Sequence, residues 1–176
     1  MSLHWLIAIA IIMLLVMGKV MMEIPRGDPA KFTIMQLHKS LGLTVLVLTL
    51  LRILWRLTHA VPALPAKMKA WERLTANATH FIFYFMMVAI PLSGWAIAST
   101  STSGVPTLWF GLFEVPNLPG LQGTPDQHEL HLQAEGTHEL LGNLTILLLL
   151  LHIGAALKHH FWDRDDVLKR MLPFVR

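Results

Sequence analysis

Four long apolar blocks leave this chain few folds to choose from. They run over about residues 3–22, 37–57, 79–99 and 138–161. At ~1.5 Å of rise per helical residue, each is long enough to cross the ~30 Å hydrocarbon layer of a bilayer. Of the 176 residues only 14% are charged, whereas 54% are hydrophobic. A soluble domain carries roughly 25% charged residues, so this chain lacks the polar shell that four buried helices would need in water. The first block has no basic n-region and no small-residue cleavage site after it, and Lys19 sits inside its far end. It therefore reads as a retained span rather than a secretion signal. The expected fold is all-α, a transmembrane four-helix bundle in one domain over 1–176. Its first partner is the lipid bilayer, and nothing points to nucleic acid.

The charges set an expected orientation. Lys67, Lys69 and Arg73 lie between the second and third blocks, and Arg52 and Arg56 lie near the second block's end. Arg164, Lys169, Arg170 and Arg176 mark the C-terminal tail, 162–176, next to Lys158 at the end of the fourth block. The long segment 100–137 has no Lys or Arg and carries Glu114, Asp126, Glu129 and Glu135. Because basic loops stay in the cytoplasm, both termini are expected inside and the first and third loops outside. The Pro-, Gly- and aromatic-rich stretch GVPTLWFGLFEVPNLPGL reads as a cap lying along the outer interface.

Cysteine is absent and histidine occurs ten times. That excludes disulfides, cysteine-ligated iron–sulfur clusters and covalent c-type haem, so any cofactor falls to His or Met. In THELLGNLTILLLLLHIG, residues 137–154, His138 and His152 bracket an apolar run. Fourteen helical residues advance about 21 Å and turn to within about 40° of four full turns. The two imidazoles thus share a face near opposite leaflets. An imidazole in hydrocarbon is costly unless bonded, and two metal centres, one per leaflet, answer the cost at both positions.

Haem iron takes two axial imidazoles from separate helices, so each centre needs a partner of equal depth. His38 begins the second block level with His138. His4 begins the first block level with His152, and His80 begins the third block as a rival to His4. Gly42 and Gly142 each follow a histidine by four residues, in HKSLG and HELLG. At that spacing a glycine shares the histidine's face and leaves room for a flat macrocycle. Arg52 and Arg56 follow His38 by 14 and 18 residues, face the bundle near the inner surface, and suit the carboxylates of an inner haem. His128 and His131 read as solvated in the outer segment. His159 and His160 read as interfacial anchors before a short amphipathic tail helix.

These residues resemble the bacterial cytochrome b561 family. The resemblance runs through SLHW at 2–5, LHKSLG at 37–42, THFIFYFMMVAIPLSGW at 79–95, THELLGN at 137–143 and LHIGAALKHHFWDRDDVLKRM at 151–171. It implies a di-haem b protein of the bacterial inner membrane, with iron held by His4 and His152 at the inner centre and His38 and His138 at the outer one. It favours His4 over His80. It also implies electron transfer between an outer one-electron donor, such as superoxide, and ubiquinone. Lys19, Arg26, Lys31 and Lys39 cluster at the outer end of the first two blocks. This cluster suits the propionates of an outer haem, and equally the steering of a small anionic substrate, for which Lys31 and Lys39 are the candidate contacts. Two alternatives stand beside this reading. One is an electron-transfer subunit passing electrons between quinol and a partner protein. The other is a haem-free metal or proton transporter, which predicts acidic residues well inside the apolar blocks, and there are none.

Overall fold

The computed structural model describes residues 2–59 and 68–171. Lys67 and Arg176, two of the cations in the charge reading, lie outside them. Four long helices carry the fold: α1 (Ser2–Glu23), α2 (Pro29–Thr58), α3 (Ala70–Thr100) and α4 (Gln127–Phe161). A two-stranded hairpin, β1 (Thr107–Trp109) with β2 (Phe113–Val115), and a one-turn helix α5 (Val167–Met171) complete it. All four long helices are long and apolar enough to cross a membrane. Helix is the form the bilayer demands, because it satisfies each backbone N–H and C=O within the segment.

α1 packs on α2, α2 on α3 and α3 on α4, so successive helices run up and down and the termini share one end. The core lies among the first three helices. Ile7 and Ala10 of α1, Val45 of α2 and Met87 of α3 form it, with Leu14, Leu48 and Tyr84 packed around. Ala10 lets α1 approach α2 closely, as small residues do between membrane helices. α4 buries only Thr145.

Helices of 30, 31 and 35 residues measure about 45–52 Å at ~1.5 Å per residue, longer than the bilayer core. They protrude at their N-terminal ends, where the sequence is polar. Asp28 starts α2 by accepting the Ala30 amide at 2.8 Å, with Pro29 in the first turn; this is the N-cap pattern. At α3 the Glu72 carboxylate reaches back to the Lys69 amide at 3.0 Å.

The expected cap over 100–137 is shorter than the sequence suggests, because residues 127–137 are the first three turns of α4. Tertiary bonds support those turns. Gln127 Nε2 donates to the Thr100 carbonyl at 3.0 Å, and His131 Nδ1 lies 2.9 Å from Thr100 Oγ1. His131 is therefore half-buried against α3 rather than solvated.

Candidate metal centres

His38 of α2 and His138 of α4 face one another with ring centroids 6.1 Å apart and planes at 69°. Two imidazoles bound to one metal at about 2.0 Å hold their centroids roughly 6 Å apart, so the pair has the spacing of a shared iron. α3 fixes the His138 ring. Its Nδ1 donates to the Ile90 carbonyl at 3.1 Å and lies 3.0 Å from Ser93 Oγ, which itself donates to the same carbonyl at 2.8 Å. A proton held at Nδ1 leaves the Nε2 lone pair for a metal, the usual outer-shell arrangement of a ligating histidine. His38 has a buried Nδ1 with no hydrogen-bond partner among the described residues.

Glycines set the space around both rings. A Cβ on Gly94 would stand 3.1 Å from His138 Cε1, and one on Gly18 3.6 Å from His38 Cε1. Gly94 thus lets α3 close against the His138 imidazole, whereas Gly18 stands at ordinary contact distance from His38. Beside Gly42 and Gly142 a Cβ would meet nothing within 4 Å, so there the same residue type opens space next to each histidine. The residues present fit a planar, bis-imidazole-ligated group at this level.

The second level lies at the end bearing the termini. His152 faces His80 with centroids 6.1 Å apart and planes at 66°, and Phe83 lies edge-on to His152 at 5.2 Å. His4 is half-buried nearby. Its Nδ1 lies 3.5 Å from the Arg52 guanidinium, and its ring lies edge-on to Trp5 at 5.6 Å. The sequence reading sets His4 opposite His152 and holds His80 in reserve; in this structure His80 is the ring opposite His152. Arg52 and Arg56 both lie over the Tyr84 ring, at 5.8 and 5.5 Å. They face the bundle at the level of this centre.

The family model for prokaryotic cytochrome b561 matches residues 1–174. The chain belongs to that family. It is 33% identical over 169 residues to cytochrome b561 homolog 2 of Escherichia coli (strain K12), covering 96% of this chain and 86% of the relative. It is 26% identical to cytochrome b561 homolog 1 of the same organism, covering 97% and 93%. A protein of Yersinia pestis named probable superoxide oxidase CybB is 28% identical over 177 residues, covering 99% and 94%. Cytochromes b561 bind haem b and carry electrons, so this chain is a multi-pass bacterial membrane protein of the electron-transfer class.

Within this b561 chain, the candidate substrate lysines are engaged with backbone. Lys31 Nζ donates to the Ile24 carbonyl at 2.8 Å and Lys39 Nζ to the Pro106 carbonyl at 3.3 Å. Lys19 Nζ reaches Asn143 Oδ1 at 2.9 Å and ties α1 to α4. At the other end Lys158 joins Glu72 of α3, at 2.8 Å, to Asp163 of the tail, at 2.7 Å. His159 Nδ1 lies 2.8 Å from Asp165 and 3.1 Å from Asp163. Sequence reading misses Gly18, Ser93 and Gly94. The only local signal for the last two is a pair of small residues, SG, inside an otherwise bulky run.

Proposed function

We propose that this chain moves electrons across the bacterial inner membrane through two b haems, taking them from superoxide or another one-electron donor outside and giving them to ubiquinone. The observation that carries this reading is the pair of facing imidazole sets, one at each end of the bundle, each with centroids 6.1 Å apart. The hairpin-end centre is assigned to His38 and His138, with Gly42 and Gly142 admitting the macrocycle. The terminal-end centre is assigned to His152 with His4 as the family resemblance implies, and His80 is the rival that the geometry favours. Bound haem supplies one-electron redox chemistry. The protein's part is to hold the Nε2 lone pairs, exclude water and neutralise propionates, a task suited to Arg52 and Arg56.

The charge rule places the termini in the cytoplasm and the hairpin end outside. The electron balance of the superoxide reading is simple. Two superoxide anions each lose one electron and leave as oxygen, and one quinone takes both electrons and two protons to become quinol. The relative named as a probable superoxide oxidase supports this reading. The alternative, passage of electrons between quinol and a partner protein, shares the haem assignment and differs in the donor.

The test is the visible spectrum and haem content of the purified protein, followed by stopped-flow mixing with superoxide. The expected result is two acid-acetone-extractable b haems per chain, both low-spin, with reduction by superoxide. One haem or none would overturn the two-centre assignment. Two haems that superoxide fails to reduce would leave the quinol-to-partner reading in its place.

A further inference from the structure

Along α2 the positions Ser40, Thr44, Val47, Leu51 and Leu54 recur at spacings of four, three, four and three, which is one face of a helix. Its lower part is open and apolar: Val47, Leu51 and Leu54 are each more than half exposed. On a membrane-spanning helix that stripe faces lipid. His38 lies roughly 200° around the helix from Ser40, on the opposite side. Yet the upper, polar part of the stripe is covered, and Ser40 is 1% exposed. The β1–β2 hairpin covers it.

The hairpin's bonds descend α2 in order. The Pro106 carbonyl accepts from Gln36 and Lys39, at 2.8 and 3.3 Å. The Leu108 carbonyl accepts from Ser40 Oγ at 2.9 Å, and its amide donates to Gln36 Oε1 at 3.3 Å. The Phe110 amide donates to Ser40 Oγ at 2.9 Å, and the Trp109 indole donates to Thr44 Oγ1 at 3.1 Å. Thr44 is six residues past His38, or about 9 Å nearer the bilayer centre. β1 therefore runs down the flank of α2, with its tip deepest. The chain reverses at the tip through Phe110 and Gly111, both at positive φ, closed by the Leu112 amide on the Trp109 carbonyl at 3.0 Å. The side chains presented there, Phe110, Leu112 and Phe113, are 46%, 74% and 56% exposed.

We propose that residues 105–116 form an interfacial hairpin seated on the lipid-facing flank of α2, with Phe110, Leu112 and Phe113 in contact with acyl chains. Its occupant is the bilayer itself, because its apolar tip continues the open stripe of Val47, Leu51 and Leu54. Irregular backbone survives at such depth only when its polar groups are bonded, and α2 offers Gln36, Lys39, Ser40 and Thr44 at the matching levels. Exposed Glu114, paired across from Leu108, limits the immersion to the interfacial layer.

The absence of cysteine makes the test clean. Single variants Leu112→Cys, Leu51→Cys and Thr102→Cys are spin-labelled in the haem-loaded protein in nanodiscs, where both faces are open. Collisions with oxygen and with a water-soluble nickel chelate are then measured. The expected result is that Leu112 matches the lipid-facing Leu51, favouring oxygen, while exposed Thr102 favours the chelate. Adding Ser40→Leu to Leu112→Cys removes the seat. The label should then lose its oxygen preference while haem content is unchanged, since Ser40 lies off the histidine face. A Leu112 label that meets the chelate like Thr102 overturns the proposal. Dipolar broadening between labels would place a second copy of the chain on this surface and overturn it equally.

Discussion

At the residue scale, His138 shows how neighbours fix an imidazole in the orientation that the proposed haem ligation needs. The ring is held through Nδ1 by Ile90 and Ser93, and Gly94 lets α3 come within reach. A Cβ at 3.1 Å from His138 Cε1 forces a shift of a few tenths of an ångström, because packed interiors do not absorb even one methyl freely. Gly94→Ala should therefore keep both haems but move the spectrum and midpoint potential of the hairpin-end haem alone, measured by redox titration. Gly142 stands in the opposite situation, with open space where a methyl would point. Gly142→Leu should leave the helix content unchanged by circular dichroism, yet drop haem content from two per chain to one. If haem content stays at two, the space beside Gly142 does not serve the macrocycle. Neither Ser93 nor Gly94 was legible as part of a site, because each acts on a residue about 45 positions away, and no local pattern encodes that contact.

At the scale of elements, the question is which helix would supply the second imidazole of the proposed centre at His152. Depth was readable from position in each apolar block, and depth made His4 and His80 equal. The azimuth of one helix against another is set by packing. In this structure α3 turns His80 toward His152, while the Arg52 guanidinium engages His4. Replacing each in turn decides the matter. His38→Ala and His138→Ala should each remove the same haem, halving the pyridine haemochrome yield. His152→Ala should remove the other. Of His4→Ala and His80→Ala, the one that also removes that second haem identifies the ligand, and the other should shift its potential while leaving the count at two. Loss that crosses from one level to the other would contradict the bundle's up-and-down order.

At the scale of the whole molecule, net charge is +3, and in the proposed orientation Lys19, Arg26, Lys31 and Lys39 form an outer cluster whose field would act on a small anion. Such steering is screened beyond about 8–10 Å at ordinary ionic strength. Stopped-flow reduction by superoxide should thus be faster at low salt. Lys31→Gln with Lys39→Gln should slow it and flatten the salt dependence, with both haems retained. Indifference to salt and to these lysines would remove superoxide as the donor. Lys39 also seats the hairpin through Pro106, and Lys31 holds the Ile24 carbonyl between α1 and α2, so unchanged circular dichroism of each single variant is the control that separates charge from scaffolding. By itself the sequence determined the number of membrane spans, the family and the levels at which histidines occur, because these follow from length, composition and the helical repeat along one chain. Tertiary structure alone decided that α4 begins at Gln127, that Gly18 and Gly94 lie against the His38 and His138 rings, that His80 faces His152, and that the hairpin lies down the flank of α2. Each of those depends on contacts between residues far apart in the chain, whose energies no single segment contains.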